Sequence, residues 1–147
     1  MTRNLASQLC PAILITALLA ASAGCGGDTV KVVPAAGVVK IGGKPAANVM
    51  VQFMPDARKG GKGPTSSATT DADGNFKLMA QDGRDGAVVG THLVVLIDPD
   101  EERPAQGQPL KHAPRLDSKY AAPTLSNLTA EVADGGGPIV VDVPAPR

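Results

Sequence analysis

Four stretches of this sequence carry side chains that could do chemistry. Cys25, in Ala21-Ser22-Ala23-Gly24-Cys25-Gly26-Gly27-Asp28, offers a thiol that is a buried group, half of a disulfide or a nucleophile for acylation. Asp71-Ala72-Asp73-Gly74 pairs two carboxylates before a glycine, as calcium loops do. Gly60-Gly61-Lys62-Gly63 has the look of a phosphate cradle. His92 and His112 are the only imidazoles, and hence the only side chains that titrate near neutral pH unperturbed.

Three of the four fail a test of spacing. With Thr69, Asp71 and Asp73 as calcium-loop positions 1, 3 and 5, Gly74 falls correctly at 6, but position 12 is Ala80 and not a bidentate Glu. Asp71, Asp73 and Gly74 are therefore expected as a structural hairpin turn, the acids bonding local backbone and the glycine taking a positive φ. The glycine-rich stretch continues with Gly63-Pro64 where a phosphate loop needs Ser or Thr after its lysine and then a helix, so it is expected as a flexible surface loop. The histidines sit in no HExxH, and no serine sits in a G-x-S-x-G elbow. His112 near Asp117 and Ser118 is not a triad by sequence alone. No catalytic residue, metal ligand set or cofactor site is assigned.

Cys25 remains. Residues 1–24 have one charge, Arg3, and an apolar run from Ala12 to Ala23. Twelve residues are too short to span a hydrocarbon core of about 30 Å. A charged start, a short apolar run and small residues describe a secretory signal peptide. Ala21-Ser22-Ala23 fits ordinary cleavage before Gly24, which would leave a secreted chain with a free thiol. Ser22-Ala23-Gly24-Cys25 resembles a bacterial lipobox, with Ser22 where leucine is usual. A lone secreted thiol is a liability, and a lipidated one is not, so lipid on Cys25 is the favoured reading. Cys10 leaves with the signal, and no other cysteine remains to build a disulfide framework. Residues 25–34, small and polar at first, are expected as a flexible tether.

The elements that must carry everything else are strands. Val49, Val51 and Phe53 alternate with Asn48, Met50 and Gln52. Phe76 and Leu78 straddle Lys77, and Ile139, Val141 and Val143 alternate near the end. Gly37 to Ile41 reads as another strand, and Thr91 to Ile97 is a continuous apolar run suited to a covered one. Turns at 41–45, 71–75, 81–86 and 135–138 separate them. Six or seven short strands in about 110 residues predict an antiparallel β-sandwich. Two loops exceed what a sandwich needs, 55–66 and the proline-rich 98–118; both are expected as contact surfaces. Lysine plus arginine equals aspartate plus glutamate at 14 each, so nothing in the charge attracts nucleic acid.

The order of motifs resembles a known family. Gly37-Val38-Val39, Gly43-Lys44-Pro45 and Val49 to Phe53 are similar to the opening of carboxypeptidase regulatory-like domains. Thr70-Asp71-Ala72-Asp73-Gly74-Asn75-Phe76 resembles that family's T-D-x-D-G-x-F signature, and Gly90 to Val94 its G-x-Y-x-V, with His92 in place of the aromatic. Lys119-Tyr120, Thr124, Ser126, Leu128-Thr129 and Val132 resemble the tail of small bacterial lipoproteins carrying this domain. The resemblance implies an all-β, seven-stranded, transthyretin-like (prealbumin-like) sandwich over residues 35–147, a module without activity of its own. The expected protein is a non-enzymatic envelope lipoprotein held in a membrane by lipid on Cys25 and facing the periplasm or exterior, with an envelope protein or glycan as its partner. The alternatives are a transthyretin-like hydrolase of small ring substrates, and a secreted carbohydrate-binding module. The first is poorly supplied with histidine; the second lacks tryptophan and has a single tyrosine for sugar stacking.

Overall fold

The computed structural model describes residues 30–100 and 113–146. The signal peptide expected at 1–24, together with Cys25 and His112, falls outside the described residues. Eleven strands are present among those described. They are β1 (Val32–Val33), β2 (Ala36–Ile41), β3 (Lys44–Pro45), β4 (Met50–Pro55), β5 (Ser66–Thr69), β6 (Asn75–Lys77), β7 (Met79–Ala80), β8 (Ala87–Val88), β9 (Gly90–Ile97), β10 (Thr129–Val132) and β11 (Pro138–Val143). A single helical turn, α1 (Pro123–Ser126), and two 3-10 turns, Ala57–Lys59 and Ser118–Ala121, complete the inventory. The all-β expectation holds.

Five strands form one sheet in the order β10-β9-β4-β5-β7, antiparallel throughout. A second sheet is built on β2, with β11 on one edge and β3 and β6 sharing the other. β11 runs parallel to β2 over all six residues, the one departure from antiparallel pairing. β1 and β8 make a separate two-stranded ribbon.

The inward residues follow the period-two pattern of the sequence. Val51 and Phe53 on β4, Val94 and Leu96 on β9 and Val132 on β10 face Val39 on β2, Phe76 on β6 and Val141 and Val143 on β11 in one core. The Phe53 and Phe76 rings meet between the sheets with centroids 5.9 Å apart and planes tilted by 45°. Tilted contacts of this kind add roughly 0.5–1.5 kcal/mol beyond buried area. The β2–β3 reversal is a two-residue turn with Gly42 and Gly43 both at positive φ, which the twist of a hairpin favours.

The fold begins earlier than the sequence suggests. Residues 30–34 were expected within a tether, yet Val32 and Val33 pair with Val88 and Ala87, and Val33 is buried. β5 was not expected either; its Ser-Ser-Ala-Thr sequence has no apolar alternation, and its place between β4 and β7 makes it a strand.

Gly37 permits the closest approach in the second sheet. A Cβ there would stand 2.0 Å from the Ile139 carbonyl oxygen and 2.7 Å from the tip of the Phe76 ring. We expect Gly37→Ala to destabilise the domain by about 1–3 kcal/mol or more, as overpacking does. Gly135→Ala, where a Cβ meets nothing within 4 Å, should be nearly neutral. Thermal melts of the two variants beside the parent check this.

Candidate functional site

The Asp71 turn forms as its sequence dictates. One Asp71 carboxylate oxygen accepts the backbone N–H of Asp73 at 2.9 Å and of Asn75 at 2.8 Å, and the Asn75 amide reaches both oxygens at 3.3 Å. Those bonds, the Asn75 N–H first, hold the Asp71 carboxyl below its ordinary range. Gly74 takes a φ of 76°, and a Cβ there would press within 2.8 Å of the Val39 carbonyl oxygen. The carboxylate of Asp71 is thus occupied by its own turn, while Asp73 stays exposed. Among the described residues no group of three His, Cys, Asp or Glu is placed to hold a metal.

The glycine-rich stretch is not the flexible loop its composition predicts. Asp56, 2 % exposed, caps the 3-10 turn by accepting the Arg58 N–H at 3.0 Å. The Arg58 guanidinium closes on both Asp56 oxygens at 3.0 and 3.1 Å, which lowers the Asp56 pKa. The Asp56 N–H bonds the Thr91 carbonyl and its carbonyl accepts from Gly61, tying the loop to β9. A Cβ on Gly61 would lie 2.8 Å from the Asp56 nitrogen; one on Gly63 would lie 2.7 Å from a Val30 methyl. Glycine serves close packing here, not a phosphate.

His92 is sealed in the core at 1 % exposure. Its Nδ1 lies 3.0 Å from the Gly90 carbonyl oxygen, which can only accept, so Nδ1 carries the proton and Nε2 is a bare acceptor. Nε2 has no hydrogen-bond partner, and the ring sits 5.8 Å from Phe53. The Ser66 hydroxyl, in register with Phe53 on β5, is likewise buried without a partner. Burial lowers the His92 pKa, against the smaller opposing influences of the Gly90 carbonyl and Glu131.

The long loop is pinned at its mouth. The Arg115 Nε and Nη2 donate to the two Asp98 oxygens at 2.7 and 2.6 Å, and Nη1 donates to the Ala47 carbonyl at 3.1 Å. The bidentate guanidinium pulls the Asp98 carboxyl below its usual range, outweighing burial. Asp100 is held by the Asn48 amide at 2.7 Å, with Asn48 itself at a φ of 56°. Leu116 and Tyr120, beyond the clamp, are core residues that no sequence periodicity announced.

The two loops expected as contact surfaces lie at opposite ends. Pro55 pairs with His92 near the start of β9, so 55–66 leaves at that end, where Val30 also enters the fold. Met50 pairs with Ile97, so 98–118 leaves at the other. Five residue steps of β9, from His92 to Ile97, separate them, about 17 Å at about 3.3 Å each.

Two surface grooves flank the sheets, the first of them mostly apolar. One is lined by Ala36, Val38, Phe76, Leu78 and Met79 beside Asp71 and Lys77, the other by β10 and the start of β11. Neither contains His92. No helix among the described residues is long and apolar enough to cross a membrane. Neither a family model, nor a curated protein, nor a solved structure matches the chain.

Three outcomes are expected from this geometry. A histidine whose folded pKa is lowered contributes stability fully above its unfolded value, about 6.5, and loses it as pH falls below that value. The lowered aspartates lose theirs only below about 4. Stability should therefore fall between pH 7 and 5 in the parent, and fall less in His92→Phe, as read from melts across that range. For the clamp, Arg115→Ala strands a buried carboxylate and should destabilise by about 1–3 kcal/mol. Replacing residues 101–112 with a short glycine-serine link should leave cooperative unfolding intact, because the clamp already joins the loop's ends.

Proposed function

We propose that this chain is a non-enzymatic envelope lipoprotein: a β-sandwich held to a membrane by lipid on Cys25 and presenting its far-end loop to a partner in the cell envelope. The observation that carries the reading is the order of the N-terminus. A signal-like segment ends in Ser22-Ala23-Gly24-Cys25, and only four residues separate that cysteine from Val30, where the described fold starts. An acyl group on Cys25 would place a folded domain directly at a bilayer. One chain anchors only marginally, whereas the several chains of a mature lipoprotein hold firmly.

The domain is proposed to be carboxypeptidase regulatory-like, with a transthyretin-like arrangement. In favour stand the order of the G-x-V, G-K-P, T-D-x-D-G-x-F and G-x-H-x-V motifs and the seven strands of three or more residues. A binding or structural role, in place of a hydrolytic one, is supported by His92, whose imidazole lies inside the core and away from both grooves. The partner, a protein or glycan, is expected at the 98–118 end. The hydrolase and sugar-binding alternatives have no observation of their own in favour.

Intact-mass analysis of membrane-extracted protein tests the anchor. The expected species begins at Cys25 with added acyl mass and disappears in Cys25→Ala. A soluble chain beginning at Gly24 with a free thiol would overturn the reading.

A further inference from the structure

β11 ends the second sheet and has one strand neighbour, β2. In a parallel pair each residue sends its N–H and its C=O to the same side. The Val143 carbonyl accepts the Gly42 N–H at 2.7 Å, so Ile139, Val141 and Val143 turn their backbone groups to β2. The N–H and C=O of Val140 and Asp142, and the Pro138 carbonyl, therefore point away from the sheet. Among the described residues no backbone group bonds them. Other edges are shorter or closed. β7 is covered by Asp85, and the Ala80 N–H bonds the Arg84 carbonyl. β3 has two residues and ends in Pro45, β6 has three, and β10 has four and carries Glu131. β11 has six, no lysine or arginine, and prolines only at its first position and just past its last. An apolar edge uncharged at its centre is a template for another strand.

This edge is complementary to itself. With two copies antiparallel about Val140, each Val140 N–H donates to the Val140 carbonyl of the other copy, and each Asp142 N–H to the Pro138 carbonyl of the other. The donor that Pro138 lacks falls at the margin, where water replaces it. On the outer face Val140, 60 % exposed, lies in register with half-buried Val38, so the copies join in one row of four valines. On the inner face Ile139, half-buried beside the groove between β10 and β11, comes opposite Val141 of the second copy. The charges do not oppose this. Asp142 lies beside Lys40 in register and accepts the Gly43 N–H at 3.3 Å. The two Asp142 residues stand four steps apart along the strands, about 14 Å at about 3.4 Å each, beyond a Debye length. Other registers set Asp142 against Val140 or against itself. Exposed Glu131 lines the same groove but belongs to the other sheet, where the Thr91 hydroxyl engages it, and Asp134 is paired with Lys31.

We propose that β11 is a self-association edge: a second copy of this chain adds its own β11 antiparallel, with Val140 at the two-fold axis, and the two sheets built on β2 become one. The contact is isologous, as a closed pair requires. Its axis stands perpendicular to the sheet, so the strands of the two copies run in opposite directions. Two copies on one bilayer therefore lie with their strands along it, their 98–118 loops at opposite ends of the pair. The pairing itself needs no lipid and stands apart from the anchor.

The test uses the full mature chain extracted from membranes in detergent. Val140→Cys sets two thiols about the axis on Cα atoms about 5.5 Å apart, within reach of a disulfide. After oxidation it should run at twice the chain mass without reductant, at about tenfold or more the yield of Asp142→Cys, whose copies stand too far apart to bridge. Val140→Pro removes only the outward N–H and keeps the pairing with β2. Val140→Lys sets like charges across the axis. Sedimentation over about 5–500 µM should show dimer in the parent and monomer in both variants, with cooperative melts retained. The parent gel reads Cys25 separately. A bridge there means a free thiol and overturns the anchor, and the series is then run in Cys25→Ser. A parent that stays monomeric, no excess of bridging at 140 over 142, or a dimer that survives both substitutions overturns the proposal. So does a bridge from position 140 to a different polypeptide, which would give the edge to a foreign strand.

Discussion

The contact between Phe53 and Phe76 organises the sandwich. The described domain has only these two phenylalanines and Tyr120 as aromatic side chains, so their placement carries unusual weight. Phe53 belongs to the five-stranded sheet and Phe76 to the sheet built on β2, and their rings meet between the two. Gly37 leaves room for the Phe76 ring and for the Ile139 backbone at once, which lets the last strand lie parallel to β2. His92 also packs against Phe53, with ring centroids 5.8 Å apart. An imidazole there brings a polar atom into the core that the surroundings leave unbonded. Burying such an atom costs on the order of 1–3 kcal/mol relative to a partnered one, and it makes this part of the core the one sensitive to mild acid.

Strands announced by apolar alternation were legible in the sequence. β4, β9 and β11 appear where Val51 and Phe53, the 91–97 run and Val141 and Val143 placed them. Turns were legible for the same reason: Gly42-Gly43 and Asp71 to Gly74 combine residue types that only a few backbone shapes accept. Elements defined by their neighbours were not legible. β5 is polar and becomes a strand because β4 and β7 offer it backbone partners. The parallel register of β2 and β11 joins residues about a hundred positions apart, and no local pattern encodes that.

The loops show the same division. Glycine and lysine in 55–66 read as flexibility, because composition cannot reveal that Asp56 would be buried and bridged by Arg58 two residues on. In 98–118 the prolines masked a clamp whose two halves, Asp98 and Arg115, are 17 positions apart. The candidate sites fared likewise. The calcium and phosphate readings failed on spacing alone, and His92 was visible within the apolar 91–97 run, but its sealed environment and the orphaned Ser66 hydroxyl required the fold.

The clamp also bears on where evolutionary freedom lies in this architecture. An ion pair with one member buried is stabilising chiefly against its own disruption, since removing the guanidinium leaves a carboxylate out of water. Its position at the mouth of the loop makes it a boundary. Residues on the domain side, Leu116 and Tyr120 among them, are bound to the core and can change only with it. Residues between Asp100 and Ala113 are bounded by that pair, and closing a longer or shorter loop between fixed ends changes the entropy only slowly with length. The end that holds Val30 and the glycine-rich turn has no such freedom, because its glycines pack against backbone and against Val30.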